Sequence, residues 1–406
     1  MELILFTTNF PLGSSEQFLE CEILYLSRNF ERITIIPLTD SGKPQPRSLP
    51  SNAAWLPPLI SFPITFKIRL FFQALLNMAP VKPFLADFFK NKVFLKRSRF
   101  MHWLSACSVA RAALASTPYK KIKEIVTSTT IFYFYWGDKS SALVPFLKNQ
   151  FPGNKYIARF HGTDLYETKT PGYMPLRKEL LRNLDLIVLI SAHGQKYLVE
   201  RFPEFSSKVR LSRLGVLSGG ESRPSSDGIL RIVTCSNLVK IKRLHLLMEA
   251  LKLIDFPVEW TIIGDGELSD KLKEQAKGLV SPIHVTFLGA LMNEEVMQFY
   301  RKFPVDILIN VSAHEGLPVS IMEAISFGVP VIAPRVGGIP EIVNEGYGYL
   351  LPANPTAKEI AAAISRFYHL EEETKEKMRK AAKQFWKVNF NADVNYQEFS
   401  EMIKSS

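Results

Sequence analysis

His314–Pro334, HEGLPVSIMEAISFGVPVIAP, is the stretch on which the reading of this chain turns. An apolar strand ending near Val311 runs into a loop that holds Glu315 and Gly316. Pro318 suits the first turn of a helix, where its missing N–H belongs to the unpaired donors anyway. The amides that follow, from Val319 to Ile321, form an anion site at the helix N-terminus. Gly316 lets the backbone come close to a ligand. Glu323 lies about a turn and a half into the helix, Gly328 ends it at the C′ position, and Val329–Ala333 is the next strand. The spacing of the two glutamates can place one carboxylate over a sugar and the other on a ribose, with phosphates on the amides between.

Working outward, the same beat of short apolar strand and helix runs through the C-terminal half. Strands are expected at Leu230–Ser236, Val258–Ile263, His284–Leu288, Asp306–Val311 and Val331–Ala333. Helical spacing falls at Arg243–Leu253, Glu267–Lys277, Glu294–Lys302 and Pro318–Phe327. The N-terminal half alternates likewise at Leu3–Phe6, Glu16–Arg28, Ile33–Pro37, Thr130–Trp136, Tyr156–Phe160 and Leu186–Ile190. Such βαβ units build a parallel sheet with helices on both faces. The expected fold class is therefore α/β, with two Rossmann-like doubly wound domains facing across a cleft. The expected boundaries are 1–217, a Gly/Ser/Pro hinge at 218–228, 229–385, and a last helix at 386–406 that crosses back to the first domain.

The Glu315–Glu323 stretch resembles the E-x7-E signature of the family 4 ("group 1") retaining glycosyltransferases, which have the GT-B fold. Other segments fall where that resemblance implies. Val233–Leu251 is similar to the family's strand–loop–helix that carries an Arg and, five residues on, a Lys for the donor diphosphate. Lys242 fits the lysine, while Asn237 stands where the arginine is expected; Arg243 or another cation is then left to carry that charge. Gly264, in GDGEL, and Leu291, in FLGAL, sit in loops that border the nucleotide base in the family. Gly337 and Gly338 repeat the close-approach device. His161 and Asp164, in HGTD after a strand, resemble the motif whose imidazole lies against the donor sugar; Asp164 either holds the ring or meets acceptor hydroxyls. Gly13, in the first strand–helix loop, is expected over the donor phosphate, and Ser15 is equally a plain helix N-cap.

By this resemblance the catalytic set is His161, Lys242 and Glu315. The donor contacts are Gly13, Asn237, Lys242, Arg243, Gly264, Leu291, Glu315, Gly316, Leu317, Pro318, Val319, Ser320 and Glu323. The implied reaction moves a sugar, with retention, from a UDP- or GDP-sugar to a hydroxyl of a glycan or lipid-linked glycan. The setting implied is exopolysaccharide or lipopolysaccharide assembly. No cofactor or metal is expected, since no DxD, HExxH, P-loop or GxGxxG is present. Two rivals stand beside this reading: a GT-B nucleotide-sugar epimerase, and a non-catalytic sugar-nucleotide-binding partner of a transferase, the latter prompted by Asn237.

Charge separates the halves. Residues 1–218 hold 29 basic and 15 acidic side chains, against 21 and 24 in 219–406. Within 60–123 lie 12 basic residues and a single acid, Asp87, together with nine Phe, Trp103 and Tyr119. Two readings compete there: an interfacial element that meets anionic lipid, and core helices with solvated cations. Nucleic acid is not expected, because no stacking module accompanies the charge. Three dispersed cysteines and no long apolar run point to the cytoplasm, with peripheral placement on the inner face of the membrane as an option.

Overall fold

The computed structural model describes residues 1–13, 16–40, 46–60 and 82–405. Ser15 and Phe62, Phe66, Phe71 and Phe72 therefore lie outside the described residues. The chain divides into two compact units, Met1–Ser212 with Tyr396–Ser406, and Arg213–Asn395.

In the first unit, strands β1 (Glu2–Thr7), β2 (Arg32–Pro37), β3 (Ala53–Trp55), β4 (Thr130–Phe134), β5 (Lys155–Phe160), β6 (Leu186–Leu189) and β7 (Val209–Leu211) form one sheet. Its order is β3-β2-β1-β4-β5-β6-β7, and every pairing is parallel. The central strands are apolar at nearly every position because helices cover both faces. One layer packs Phe6, Phe132, Phe134 and Phe160 under the helix Arg97–Ala115. The other packs Leu3, Leu5, Tyr133 and Ile157 under Phe18–Asn29 and under Phe399 and Ile403 of the C-terminal helix. Each such side chain contributes about 1.5–3 kcal/mol on burial.

A buried ion pair runs through that second layer. Arg159 Nη1 meets Glu22 Oε2 at 2.5 Å, the Tyr133 hydroxyl donates to Glu22 Oε1 at 2.9 Å, and the guanidinium lies 3.8 Å from the Phe399 ring centroid. The Tyr396–Ser406 segment thus covers two charges that need one another.

In the second unit, β8 (Leu230–Cys235), β9 (Val258–Ile263), β10 (Ile283–Gly289), β11 (Ile307–Ile309), β12 (Val331–Pro334) and β13 (Gly348–Leu351) form a parallel sheet in the order β10-β9-β8-β11-β12-β13. Numbered from its own first strand this is the 3-2-1-4-5-6 order of a dinucleotide-binding half. The Gly/Ser/Pro stretch at 218–228 is tied to this unit: Ser222 N donates to Phe327 O at 3.2 Å, and Ser225 N and Oγ donate to Asp306 at 2.8 and 2.7 Å. The helix after β11 is Val319–Ser326, and Gly328 follows it at φ +74°. That is the left-handed turn glycine accommodates without strain.

Candidate active site

Where the strand order reverses, two neighbouring strands send their following loops in opposite directions and leave a crevice at their carboxyl ends. In the second unit this point lies between β8 and β11. The loop after β8 carries Asn237 and a short 3-10 turn, Lys240–Lys242; the loop after β11 carries Glu315. Ala313 N donates to Ile241 O at 2.8 Å and joins the two loops. Lys242 Nζ then reaches Glu315 Oε1 at 2.5 Å, and Asn310 Nδ2 reaches the same oxygen at 3.4 Å. A small cavity beside them is lined by Cys235, Ser236, Lys242, Asn310, Ser312 and Ser320.

Gly316, Leu317, Pro318, Val319 and Ser320 follow as the entry to the helix, with Leu317 and Pro318 buried. Pro318 is the capping residue rather than the first helical one. Ile321 N already donates to Pro318 O at 3.2 Å, so the anion site expected over Val319–Ile321 shortens. The amides of Val319 and Ser320 have no protein acceptor among the described residues. Glu323 is buried, and Asn293 Nδ2 donates to its Oε1 at 2.5 Å. Burial pushes its carboxyl up to about 8, against the lowering effect of Asn293.

The remaining second-unit residues divide. Arg243 does not offer the free cation that would replace an arginine at Asn237. Its Nε donates to Val311 O at 2.7 Å, and its Nη2 to Ser312 O and Ala353 O at 2.9 and 3.2 Å. The guanidinium therefore props the loop after β11, from a residue itself at φ +52°. Asn237 is exposed and Leu291 half-buried. Gly264 and Gly337 serve packing of loop on loop: a Cβ there would stand 1.9 Å from Ser236 O and from Glu315 O respectively. Gly338 N donates to Gly316 O at 2.8 Å, which fastens the third loop under the Glu315 turn.

The first unit has its own reversal point, between β1 and β4. Glu16, buried and at φ +59°, turns its carboxylate back into the loop after β1. Oε1 accepts from Thr8 N at 2.8 Å and from the Trp136 indole at 2.7 Å; Oε2 accepts from Asn9 N and Phe10 N at 2.8 Å. Gly13, at φ +74°, gives its carbonyl to Arg47 Nε at 2.8 Å. Trp136 in turn packs on His161, ring centroids 4.3 Å apart, with Tyr135 at 4.7 Å.

His161 and Asp164 occupy a tight turn after β5. Asp164 Oδ1 accepts from the amides of His161 and Gly162 at 2.8 Å, and Oδ2 accepts from Gly137 N at 2.9 Å. Burial alone would raise this carboxyl, but the His161 side chain and these amides hold it below its usual range. The His161 Nδ1 stands 3.6 Å from Asp164 Oδ2, and its Nε2 has no hydrogen-bond partner among the described residues. Asp164 thus fixes the backbone turn that carries the imidazole. In the sequence Glu16 stands out only as the end of the Thr7–Glu16 loop, which weakly resembles the family's SE-containing first loop, while Trp136, Asn293 and Asn310 carry no motif. Among the described residues no group of three His, Cys, Asp or Glu is arranged to hold a metal ion.

Residues 222–385 match the family described as glycosyl transferases group 1. They are a group 1 glycosyl transferase domain. The Lys242, Glu315 and Glu323 constellation lies inside this domain. The chain is 28% identical over 267 residues to the putative colanic acid biosynthesis glycosyltransferase WcaL of Escherichia coli, and 25% identical over 265 residues to the amylovoran biosynthesis glycosyltransferase AmsK of Erwinia amylovora. Each alignment covers 62% of this chain and 64% of the relative, so the chain spans less than two thirds of their length. Among solved structures, Anabaena HepE in complex with UDP and glucose superposes over 100% of both chains with a TM-score of 0.64 at 16% identity. Sucrose-phosphate synthase from Thermosynechococcus elongatus superposes over 100% of this chain and 98% of that one, with a TM-score of 0.72 at 15% identity. The fold is GT-B.

Proposed function

We propose that the chain transfers a sugar from a nucleoside diphosphate sugar to a hydroxyl acceptor, with retention of configuration, in the assembly of a bacterial exopolysaccharide. The observation that carries this reading is the Lys242–Glu315 contact beside the Val319–Ser320 amides, inside the group 1 domain. Charge grows on the leaving diphosphate as the glycosidic bond breaks, and a lysine with two unpaired amides is suited to receive it. Donor entry would draw Lys242 onto the phosphates and release Glu315 for sugar hydroxyls. Glu323, fixed by Asn293, is assigned the ribose. His161 is assigned the sugar near its reacting carbon, and the leaving phosphate oxygen takes the acceptor proton. Colanic acid and amylovoran synthesis are the named roles of the relatives and supply the exopolysaccharide setting. HepE, bound to UDP and glucose, makes a UDP-sugar the first donor to try. No catalytic step in this scheme calls for a metal ion.

Purified protein incubated with UDP-, GDP- and ADP-sugars should slowly hydrolyse one of them and transfer its sugar to a suitable acceptor. Consumption of none would overturn the proposal, and epimerised sugar in place of free sugar would favour the isomerase.

Peripheral membrane placement is favoured by one surface. Phe89, Phe94 and Leu95 are 67%, 55% and 66% exposed between Lys90, Lys92, Lys96 and Arg97. Apolar side chains among cations suit the headgroup layer of an anionic bilayer. No helix among the described residues is long and apolar enough to cross a membrane. Co-sedimentation with phosphatidylglycerol vesicles at low salt, lost on F94S/L95S, is the expected result.

A further inference from the structure

Arg243 stands between the two elements that follow β8. It closes the 3-10 turn Lys240–Lys242 and immediately precedes the helix Leu244–Leu251. Its backbone is left-handed, at φ +52° and ψ +32°. A residue with a Cβ is strained there, whereas glycine adopts that conformation freely. Such strain persists only where the surroundings hold the residue from several directions. At Arg243 the hold comes through its own side chain. Nε donates to Val311 O at 2.7 Å and Nη2 to Ser312 O at 2.9 Å, so the fork takes two successive carbonyls of the loop after β11. Nη2 also donates to Ala353 O, and Nη1 to Asn354 Oδ1, both at 3.2 Å, in the loop after β13. One guanidinium thus joins the ends of β8, β11 and β13, although β12 lies between the last two.

All four acceptors are uncharged oxygens. What Arg243 supplies is therefore the geometry of a planar fork with five donors, which a lysine cannot reproduce. These bonds lie between the two backbones that carry the Lys242–Glu315 contact. Arg243 adjoins Lys242, and Val311 and Ser312 lead into Glu315. Together with Ala313 N donating to Ile241 O at 2.8 Å, they fasten the loop after β11 to the turn after β8. A displacement of about 1 Å between reacting groups is enough to slow a reaction by about 10²-fold.

We propose that Arg243 is a positioning residue for the donor site: its guanidinium clamps the loop after β11 to the turn after β8 and so sets Lys242 against Glu315. The inference rests on the transferase reading for what that pair does, and on the hydrogen bonds alone for the clamp.

The test compares R243G, R243A and R243K with the unaltered chain. R243G removes the fork and the backbone strain together, so it should melt above R243A by about 2 °C or more. Its kcat for nucleotide-sugar turnover should nevertheless stay as low as that of R243A, down by about tenfold or more, with the donor KM within about threefold. R243K keeps the charge without the fork and should be as slow. Restored turnover in R243G would reduce Arg243 to a matter of stability, and restored turnover in R243K would assign the effect to charge. A change confined to KM would assign it to binding. Each of these overturns the proposal. Amide hydrogen exchange reads the clamp without substrate: peptides covering 311–318 and 352–356 should exchange faster in R243G by about tenfold or more, with β9 at the parent's rate. Unchanged exchange at 311–318 would overturn the proposal as well. Failure of the transferase reading shows separately, as no turnover of any nucleotide sugar by the unaltered chain, and the exchange rates still decide whether the clamp exists.

Discussion

The two units have the same strand order at their reversal points and use it in opposite ways. Between β1 and β4, the Glu16 carboxylate accepts four hydrogen bonds, from three amides and an indole, and has no capacity left for a ligand. Between β8 and β11, Glu315 has one close partner, Lys242, and a long contact from Asn310. Both are glutamates in a loop at the carboxyl end of a parallel sheet. A carboxylate saturated by backbone donors is a structural element, whereas one balanced by a single lysine can trade that partner for substrate. Topology says where a ligand can bind, and the state of the charges says which of two such places is ready to bind it.

That contrast is open to attack, and the largest effect should come from the first unit's buried pair. Glu22→Ala leaves Arg159 enclosed without its carboxylate, and should cost about 3–5 kcal/mol in urea unfolding. A loss under about 1 kcal/mol would mean that the fold does not depend on this pair. In the second unit the effect should fall on rate. Glu315→Ala and Lys242→Ala should each lower kcat/KM for transfer by about 10²–10³, some 2.7–4 kcal/mol. Their cost in stability should stay near 1 kcal/mol, because the pair is partly exposed. Unchanged turnover in either variant would remove the site assignment. Glu16→Gln comes next: it keeps the shape but swaps an acceptor oxygen for a donor that faces amides. A stability loss of about 1–3 kcal/mol with a shift in Trp136 fluorescence is expected. If Glu16→Gln were as stable as the parent but poorer at binding donor, the distinction between the two reversal points would fail.

The alternation of strands and helices was legible because strands covered on both faces must be apolar almost throughout. Val258–Ile263 is legible to the residue, although Glu259 and Thr261 make it alternate buried with half-buried positions. The short strands Ala53–Trp55 and Val209–Leu211 were not read, since three residues make no pattern. Lys242 and Glu315 were individually legible from their motifs. Their contact spans 73 positions and depends on β8 lying beside β11, which no local pattern encodes. Glu16 reads as the ordinary acid of a helix first turn. The helix starts instead at Phe18, and a left-handed Glu16 faces backward into the loop. Arg243 looks free beside Lys242 in the sequence, whereas in the fold its guanidinium is engaged by the carbonyls of Val311 and Ser312.

Glu323 sharpens the comparison from the other side, because it is a carboxyl the second unit holds without a cation. Its folded pKa, about 8, lies above the ordinary 4.5, so the folded state keeps a proton that the unfolded chain has lost between those values. Stability from this group is therefore fully present below about pH 4.5 and falls as pH rises toward 8, by up to about 1.4 kcal/mol per unit. Glu323→Gln removes the titration, so its unfolding free energy should decline less than the parent's from pH 5 to 8. Nucleotide binding should move oppositely. Ribose hydroxyls that donate to the carboxylate favour the charged form, so affinity should rise with pH through the same window in the parent and stay flat in Glu323→Gln. Parallel pH profiles in both proteins would mean that Glu323 neither titrates in this range nor meets the ribose. The carboxyl would then be a buried packing group, like Glu16 satisfied from within.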